Sequence, residues 1–227
     1  MSFLGLFGQP NIEKLTSKRD VKGLIKALSY TKDVTVRESA AVALGQVGDE
    51  HAVQPLIVAL NNRYEYHGVR QRAAKALIEL KDQGAVGSLI GLLNSPDGFV
   101  RDEAIQALIT IGAPAIEPLF QELYTSVGNH AVKVFVEIGD PAVEWLIGAL
   151  SSLDRDKAAL ILLRLGEPTV EPLIRALTRS KGRGPVADIF GELGDTRAVE
   201  PLIGTLTDSD SGVRKEAVLA LAKFAGK

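Results

Sequence analysis

One short apolar block recurs along this chain, and that recurrence limits the possible folds more than any other feature. It reads Val21-Lys-Gly-Leu-Ile25, Val53-Gln-Pro-Leu-Ile57, Val86-Gly-Ser-Leu-Ile90, Ile116-Glu-Pro-Leu-Phe120, Val143-Glu-Trp-Leu-Ile147, Val170-Glu-Pro-Leu-Ile174 and Val199-Glu-Pro-Leu-Ile203. Its leucines, Leu24, Leu56, Leu89, Leu119, Leu146, Leu173 and Leu202, are spaced 32, 33, 30, 27, 27 and 29 residues apart. A second block rich in Ala and Leu follows, as in Val36-Arg-Glu-Ser-Ala-Ala-Val-Ala-Leu44, and returns at residues 69–77, 100–108 and 213–221. Its apolar residues, for example Val36, Ala40, Ala43, Leu44 and Val47, fall at helical spacing. The pattern predicts an all-α chain of two-helix units, each needing a neighbour to bury its apolar face.

The punctuation agrees with two helices per unit. Gly48, Gly112, Gly139, Gly166 and Gly194 stand where second helices should end in a left-handed residue, a conformation easiest for glycine. Asp49, Asp140 and Asp195 are placed as N-caps for the next helix, with Pro141 in the first turn. Glu117, Glu144, Glu171 and Glu200 share one phase, in the first turn of the first helices. They read either as an acidic stripe or as charges that stabilise the helix dipole.

The pairing of Ala-Val-Glu-Pro-Leu-Ile with Asp-x-x-Val-Arg-x-x-Ala-x-x-Ala-Leu resembles HEAT-like repeats of the phycobilisome-lyase type, and designed alpha-repeat proteins share a similar consensus. The resemblance spans about residues 20–225 and is specific to architecture, not to activity. It implies a right-handed α-solenoid of about seven two-helix HEAT-like repeats over residues 20–227, preceded by an N-terminal arm or cap at 1–19. The Pro-Leu-Ile helices would form the convex layer and the Val-Arg helices the concave one. It also implies a ladder between neighbouring repeats, formed by Asp33, Asp97 and Asp210 with Arg37, Arg101 and Arg214.

The repeats are not uniform. From the last leucine of each first helix to the start of the second, the steps are 8, 9, 7, 4, 4, 5 and 7 residues. Gly128 stands where the consensus has Arg, Asp154 and Gly182 where it has Val, and Pro185 falls near the start of the sixth second helix. These repeats have either drifted or reshape the groove, and a continuous arginine ladder through the middle is not expected.

Composition then removes whole classes of function. The 227 residues carry 26 Lys and Arg against 28 Asp and Glu, and no cysteine. That balance lacks the basic excess of most nucleic-acid and membrane binders, so duplex binding tighter than the non-specific range of about 10⁻⁴–10⁻⁶ M is not expected. Without cysteine there are no disulfides, thiolate metal sites or cysteine nucleophiles. No run reaches the roughly 18–20 apolar residues that span a bilayer. The apolar start, Met1 to Gly8, lacks the basic flank of a signal peptide; it reads as an arm over the first helix or as a weak membrane contact, and a cytoplasmic protein is expected. His51, His67 and His130 lie in different repeats and form no HExxH pattern. Deoxyhypusine hydroxylases, which are HEAT-repeat proteins, hold iron with His-Glu pairs, whereas here Ala52, Gly68 and Ala131 follow the histidines. In HEAT-like DNA glycosylases concave aromatics hold the nucleotide, but Trp145 falls in the convex layer and reads as packing. No spacing nominates a nucleophile with its base, so neither metal nor cofactor is expected.

What remains is surface. Aligned to Ser39, Val42 and Gln46, the second helices present Arg72, Lys75, Gln106, His130, Lys133, Lys157 and Arg164 among acids such as Glu79, Glu103 and Glu137. Alternating sign suits a protein partner better than a phosphate backbone. Tyr30, Tyr64, Tyr66 and Phe99 fall in or beside the inter-helix turns of the first three repeats; they read as a binding edge or as covers for the repeat junctions. On the first reading Tyr64, Tyr66 and Phe99 should be exposed. Arg175, Arg179, Lys181 and Arg183 form a basic run that reads as an anion site or a solvated loop. Two functions survive: a non-catalytic scaffold that binds protein through its concave face and turn edge, and an accessory subunit or lyase-like factor acting on a tetrapyrrole-bearing or otherwise modified protein.

Overall fold

A computed structural model describes residues 9–178 and 183–225, apart from the side chain of Gln83. The apolar start at 1–8 and residues 179–182 of the basic run lie outside the described residues. A short α1 (Ile12–Ser17) is followed by helices in alternation: α2 (Val21–Leu28) and α3 (Val34–Val47), α4 (Val53–Asn61) and α5 (His67–Leu80), α6 (Val86–Leu92) and α7 (Gly98–Ile111), α8 (Ile116–Gln121) and α9 (Gly128–Ile138). The series continues with α10 (Asp140–Ala149) and α11 (Arg155–Leu165), α12 (Val170–Leu177) and α13 (Arg183–Leu193), α14 (Val199–Thr205) and α15 (Ser211–Ala225). There is no strand among the described residues, and none of their helices is long and apolar enough to cross a membrane. The fold is the all-α helix-pair stacking of an α-solenoid, in two compact units, one up to His130 and one from Ala131.

The repeat leucines make the core. Leu24, Leu56, Leu89, Leu119, Leu146, Leu173 and Leu202 are completely buried, and opposite them the second helices bury small residues such as Ala40, Ala73, Ala104, Ala158 and Ala217. Large against small lets helices interdigitate at crystal-like density. In the first unit α3 packs on α5 and α5 on α7; in the second, α11 packs on α13 and α13 on α15. Two of these contacts use glycine for close approach. A Cβ at Gly45 would lie 2.9 Å from the Cα of Ala76, and one at Gly191 would lie 3.0 Å from the Cα of Ala220.

Helix ends follow the expected punctuation with two exceptions. All five glycines at the ends of second helices adopt positive φ, between 67° and 73°. In the second repeat that place is taken by Lys81, at φ 48°, where a side chain costs about 1–2 kcal/mol against backbone sterics. Asp49 and Asp195 accept hydrogen bonds from the backbone N–H of His51 (2.9 Å) and Arg197 (3.0 Å), each capping a 3₁₀ turn that leads into the following helix. Asp140 is not an N-cap. It is the first residue of α10, because there the leading turn joins the helix itself, and Glu144 consequently falls beyond the first turn. The expected acidic stripe is also crossed by arginines: Arg197 lies 3.1 Å from Glu167 and 3.8 Å from Glu171, and Arg175 lies 3.7 Å from Glu144.

Residues 9–19, ahead of the first pair, lie against both of its helices. Helix α1 packs on α2 and α3, Arg19 donates to the carbonyl of Val47 at 2.5 Å, and Gln9 donates to Asp33 at 3.0 Å.

Relief of the strain at Lys81 is testable: Lys81→Gly should raise unfolding stability by about 1 kcal/mol. In the same urea titration Gly45→Ala should lower it by about 2 kcal/mol through overpacking. A destabilised Lys81→Gly would show that the side chain, and not the backbone angle, governs this position.

Candidate functional site

The turn edge of the first unit is built by arginines. Arg37, on α3, donates to the carbonyl of Tyr30 in its own turn at 2.8 Å and, with Nε and Nη2, to both oxygens of Glu65 in the next turn at 3.0 and 2.8 Å. One repeat on, Arg70 on α5 donates to the carbonyl of Leu60 at 3.0 Å and to Asp97 at 2.5 Å. Arg101 on α7 donates to the carbonyl of Ser95 in its own turn at 2.6 Å; in the following turn the places next to α9 are Ser126 and Val127, which offer no carboxylate, and the one acid there, Glu122, stands at the far end beside α8. Both Arg37 and Arg70 are buried. In the second unit Arg183 reaches Asp208 at 2.6 Å, which takes it out of the expected basic loop.

These pairs correct the expected ladder. The carboxylate at this place has two oxygens with separate duties, as Asp97 shows: Oδ1 caps α7 at the N–H of Phe99 (3.0 Å) and Oδ2 receives Arg70. Asp33 caps α3 through Thr35, but it belongs to the first helix pair, so no arginine of a preceding second helix reaches it and Gln9 fills its second oxygen. Asp210 caps its own helix at Gly212 and leaves Arg183 to Asp208. Glu65 replaces the expected aspartate in the second repeat. Its carboxyl lies below the ordinary glutamate range: burial pushes it up, and the bonds from Arg37 and from the N–H of Tyr66 outweigh that. Asp97 is lowered too, first by the bond from Arg70, against the opposing effect of burial.

The aromatics sit on this frame in different ways. Tyr64 and Tyr66 are exposed, at 82% and 65%, with the guanidinium of Arg63 4.8 Å from the Tyr64 ring and that of Arg37 5.9 Å from the Tyr66 ring. Together with Thr31, Pro55, Val58 and Glu65 they line a surface groove of about 580 Å³, with Arg37 in its wall. Phe99 is not freely exposed. It is half-buried, packed 4.8 Å from the His67 ring and 5.3 Å from the Arg70 guanidinium, so here the ring does cover a repeat junction. Tyr30 is half-buried and borders another groove, of about 870 Å³, along which Lys14, Lys18, Lys22 and Lys26 lie.

The remaining candidates do not line the tyrosine groove. Arg72, Lys75 and Gln106 project from α5 and α7 into solvent. Arg72 borders a groove of about 680 Å³ with Ile12, Glu38, Val42 and Gln46. Glu103 nearby is raised by burial, with Lys75 opposing. His130 is half-buried, and its Nδ1 is buried with no hydrogen-bond partner among the described residues. In the second unit Lys133 and Arg164 are exposed and Lys157 is half-buried. Among the described residues no three His, Asp or Glu side chains gather as metal ligands.

Sequence reasoning missed Glu65, Arg70 and Val58. For Val58 a signal existed: the same position is Lys26, Gly91, Gln121, Gly148, Arg175 and Gly204 in the other repeats, so an apolar residue there, two-thirds exposed, breaks the pattern.

Residues 65–127 match the family model of HEAT repeats and residues 36–62 that of the PBS lyase HEAT-like repeat; these repeats are HEAT-like. A phycocyanobilin lyase subunit alpha from Picosynechococcus sp. is 37% identical over 106 residues, covering 44% of this chain and 40% of that protein. A deoxyhypusine hydroxylase from Neosartorya fischeri is 36% identical over 94 residues, covering 41% of this chain and 28% of the relative. The chain thus spans less than half the length of either relative. Among solved structures, the complex of CpcE and CpcF of phycocyanin lyase from Nostoc sp. PCC7120 aligns with a TM-score of 0.41 and 22% identity, over 91% of this chain and 94% of that one.

Removing one partner of a buried ion pair leaves an uncompensated charge, so Arg37→Ala should cost about 3 kcal/mol in urea unfolding. Because the carboxyl of Glu65 is depressed in the folded state, its contribution is complete above the ordinary glutamate range and is lost as pH falls through the depressed value. Glu65→Gln should remove that part of the acid-side slope. Half-buried Phe99→Ala should fall between the 0.5 kcal/mol or so of a surface change and the roughly 3 kcal/mol of a core ring.

Proposed function

We propose that this chain is a non-catalytic scaffold that binds a protein partner along the turn edge of its first unit and across the exposed faces of its second helices, the concave layer implied by the repeat resemblance. The observation that carries this reading is the pair Tyr64 and Tyr66, widely exposed beside a groove whose wall is held by the Arg37–Glu65 pair. Tyrosine offers a large amphipathic contact area with few rotors to freeze, and with arginine it dominates binding hot spots. Exposed rings on a frame tied by ion pairs with buried arginines meet a partner already ordered, which lowers the entropy lost on association. Arg72, Lys75 and Gln106 would extend the contact along α5 and α7. A cytoplasmic setting belongs to the same proposal.

A second reading is favoured by one finding, the similarity to a phycocyanobilin lyase subunit alpha. On it, the chain is an accessory subunit or lyase-like factor acting on a tetrapyrrole-bearing or otherwise modified protein, and the scaffold supplies the protein contact. Visible absorbance of the purified protein, or pigment retained with its partner, separates the two readings.

The test is a double substitution. Tyr64→Ala with Tyr66→Ala should leave stability within about 0.5 kcal/mol of the parent while weakening partner capture from the native host by about 2 kcal/mol or more, roughly thirtyfold. Capture unaffected by the double variant would rule out the tyrosine edge.

A further inference from the structure

The groove beside Tyr30 gathers positive charge that the rest of the chain does not share. Between residues 14 and 32 stand six basic residues and one acid, Asp20, in a chain whose formal net charge is −2. Four of the six, Lys14, Lys18, Lys22 and Lys26, line the groove of about 870 Å³, and all four are exposed. They follow one another at intervals of four residues, two on α1 and its C-cap and two on α2, so each pair shares one face of its helix. Between them the lining is apolar: Leu15, Ile25 and Tyr30 are half-buried and Ala27 is buried. Helix α1 comes close to α2 here because Gly23 has no side chain; a Cβ there would lie 2.6 Å from the Cδ2 of Leu15. The shape of the groove is set by the packing of these two helices.

These charges are not answered within the groove. Elsewhere Arg183, Arg197 and Lys223 each meet a carboxylate at 3.1 Å or less. Among the described residues no carboxylate pairs with Lys14, Lys18 or Lys22. Asp20, the one acid in the lining, accepts from the N–H of Gly23 at 2.9 Å as the cap of α2. Residues 1–8, just ahead of the groove in sequence, carry no charged side chain and so supply no carboxylate. Lysines four apart on a helix repel each other, and a carboxylate seated between them relieves that repulsion.

We infer that this groove docks an acidic amphipathic helix of a partner protein. Its apolar stripe lies on Leu15, Ile25 and Tyr30, and the carboxylates flanking that stripe face the lysines on α1 and α2. The lining favours a carboxylate-bearing protein segment over other polyanions. It holds no arginine for a bidentate grip on phosphate, since Arg19 donates to the carbonyl of Val47. Its one aromatic ring, Tyr30, makes no stacking platform for bases. A flat bilayer surface would meet the exposed lysines but not the half-buried floor. Ser29 and Thr31 border both this groove and the tyrosine groove, so one partner chain can occupy both, but the lysine groove does not rest on the tyrosine edge.

The probe is a fluorescein-labelled synthetic peptide of three Glu-Glu-Leu-Leu units, titrated with the full chain at low salt and followed by anisotropy. It should bind saturably, and about tenfold more weakly when Gln replaces every Glu or Ser every Leu. Lys14→Glu with Lys22→Glu should also weaken binding about tenfold. Arg155→Glu with Lys215→Glu, exposed sites outside the groove with the same change of net charge, should leave it unchanged. Melting curves verify that the variants fold; if the reversed lysine pair melts early, Lys14→Gln with Lys22→Gln takes its place, with a loss of about threefold. No saturation below about 1 mM protein would overturn the proposal, as would equal weakening by the two charge-reversed pairs or undiminished binding of the serine peptide. Weakening by Tyr64→Ala with Tyr66→Ala but not by the lysine pair would move the probe to the tyrosine groove and remove this one. Tighter binding of phosphatidylserine vesicles or of a thymidine oligonucleotide through the same lysines would assign the stripe to lipid or nucleic acid instead.

Discussion

Burial of one leucine per repeat between neighbouring helices is the contact on which everything else rests. No helix pair here has an interior of its own: Leu56 is fully buried only because α4 and α5 lie against their neighbours, and the same holds for its six counterparts. Stability in such an array is the sum of weak units and strong interfaces between them. Every feature that lets one pair approach the next follows from this, including the alanines of the second helices and the bare backbone at Gly45 and Gly191.

Nonpolar stacking fixes spacing but leaves the turns to be held by other means. The arginines do this at the end of each interface where a carboxylate is available. A guanidinium presents five donors in a rigid fork, which is enough to hold a carbonyl of its own turn and a carboxylate of the next, as Arg37 and Arg70 do. The loop between α4 and α5 runs over residues 62–66, and it is this loop that Glu65 ties down. Its two exposed tyrosines therefore project from an anchored support.

Period and punctuation made the architecture legible: the leucine spacing located the first helices, and the five glycines marked where second helices end. The turn residues Tyr64 and Tyr66 were also readable as exposed, because nothing in the repeat pattern asks for them. Contacts that cross from one repeat to the next were not readable. The shielding of Phe99 depends on His67 and Arg70, about thirty residues earlier in the chain, and the aspartate of the repeat consensus gives no sign that Glu65 or Asp208 will take the arginine instead. Asp140 was misplaced for a more local reason, since a leading turn and a helix that has absorbed it share the same residues.

The double duty of Asp97 has a kinetic side. One oxygen holds the first turn of α7 while the other holds Arg70 of α5, so α7 cannot fray at its start without loosening the repeat before it. Amide protons in the first turns of α7 and α5 should therefore exchange with solvent through a shared opening. Local unfolding in this part of the molecule becomes a collective event spanning two repeats, at the scale of a foldon.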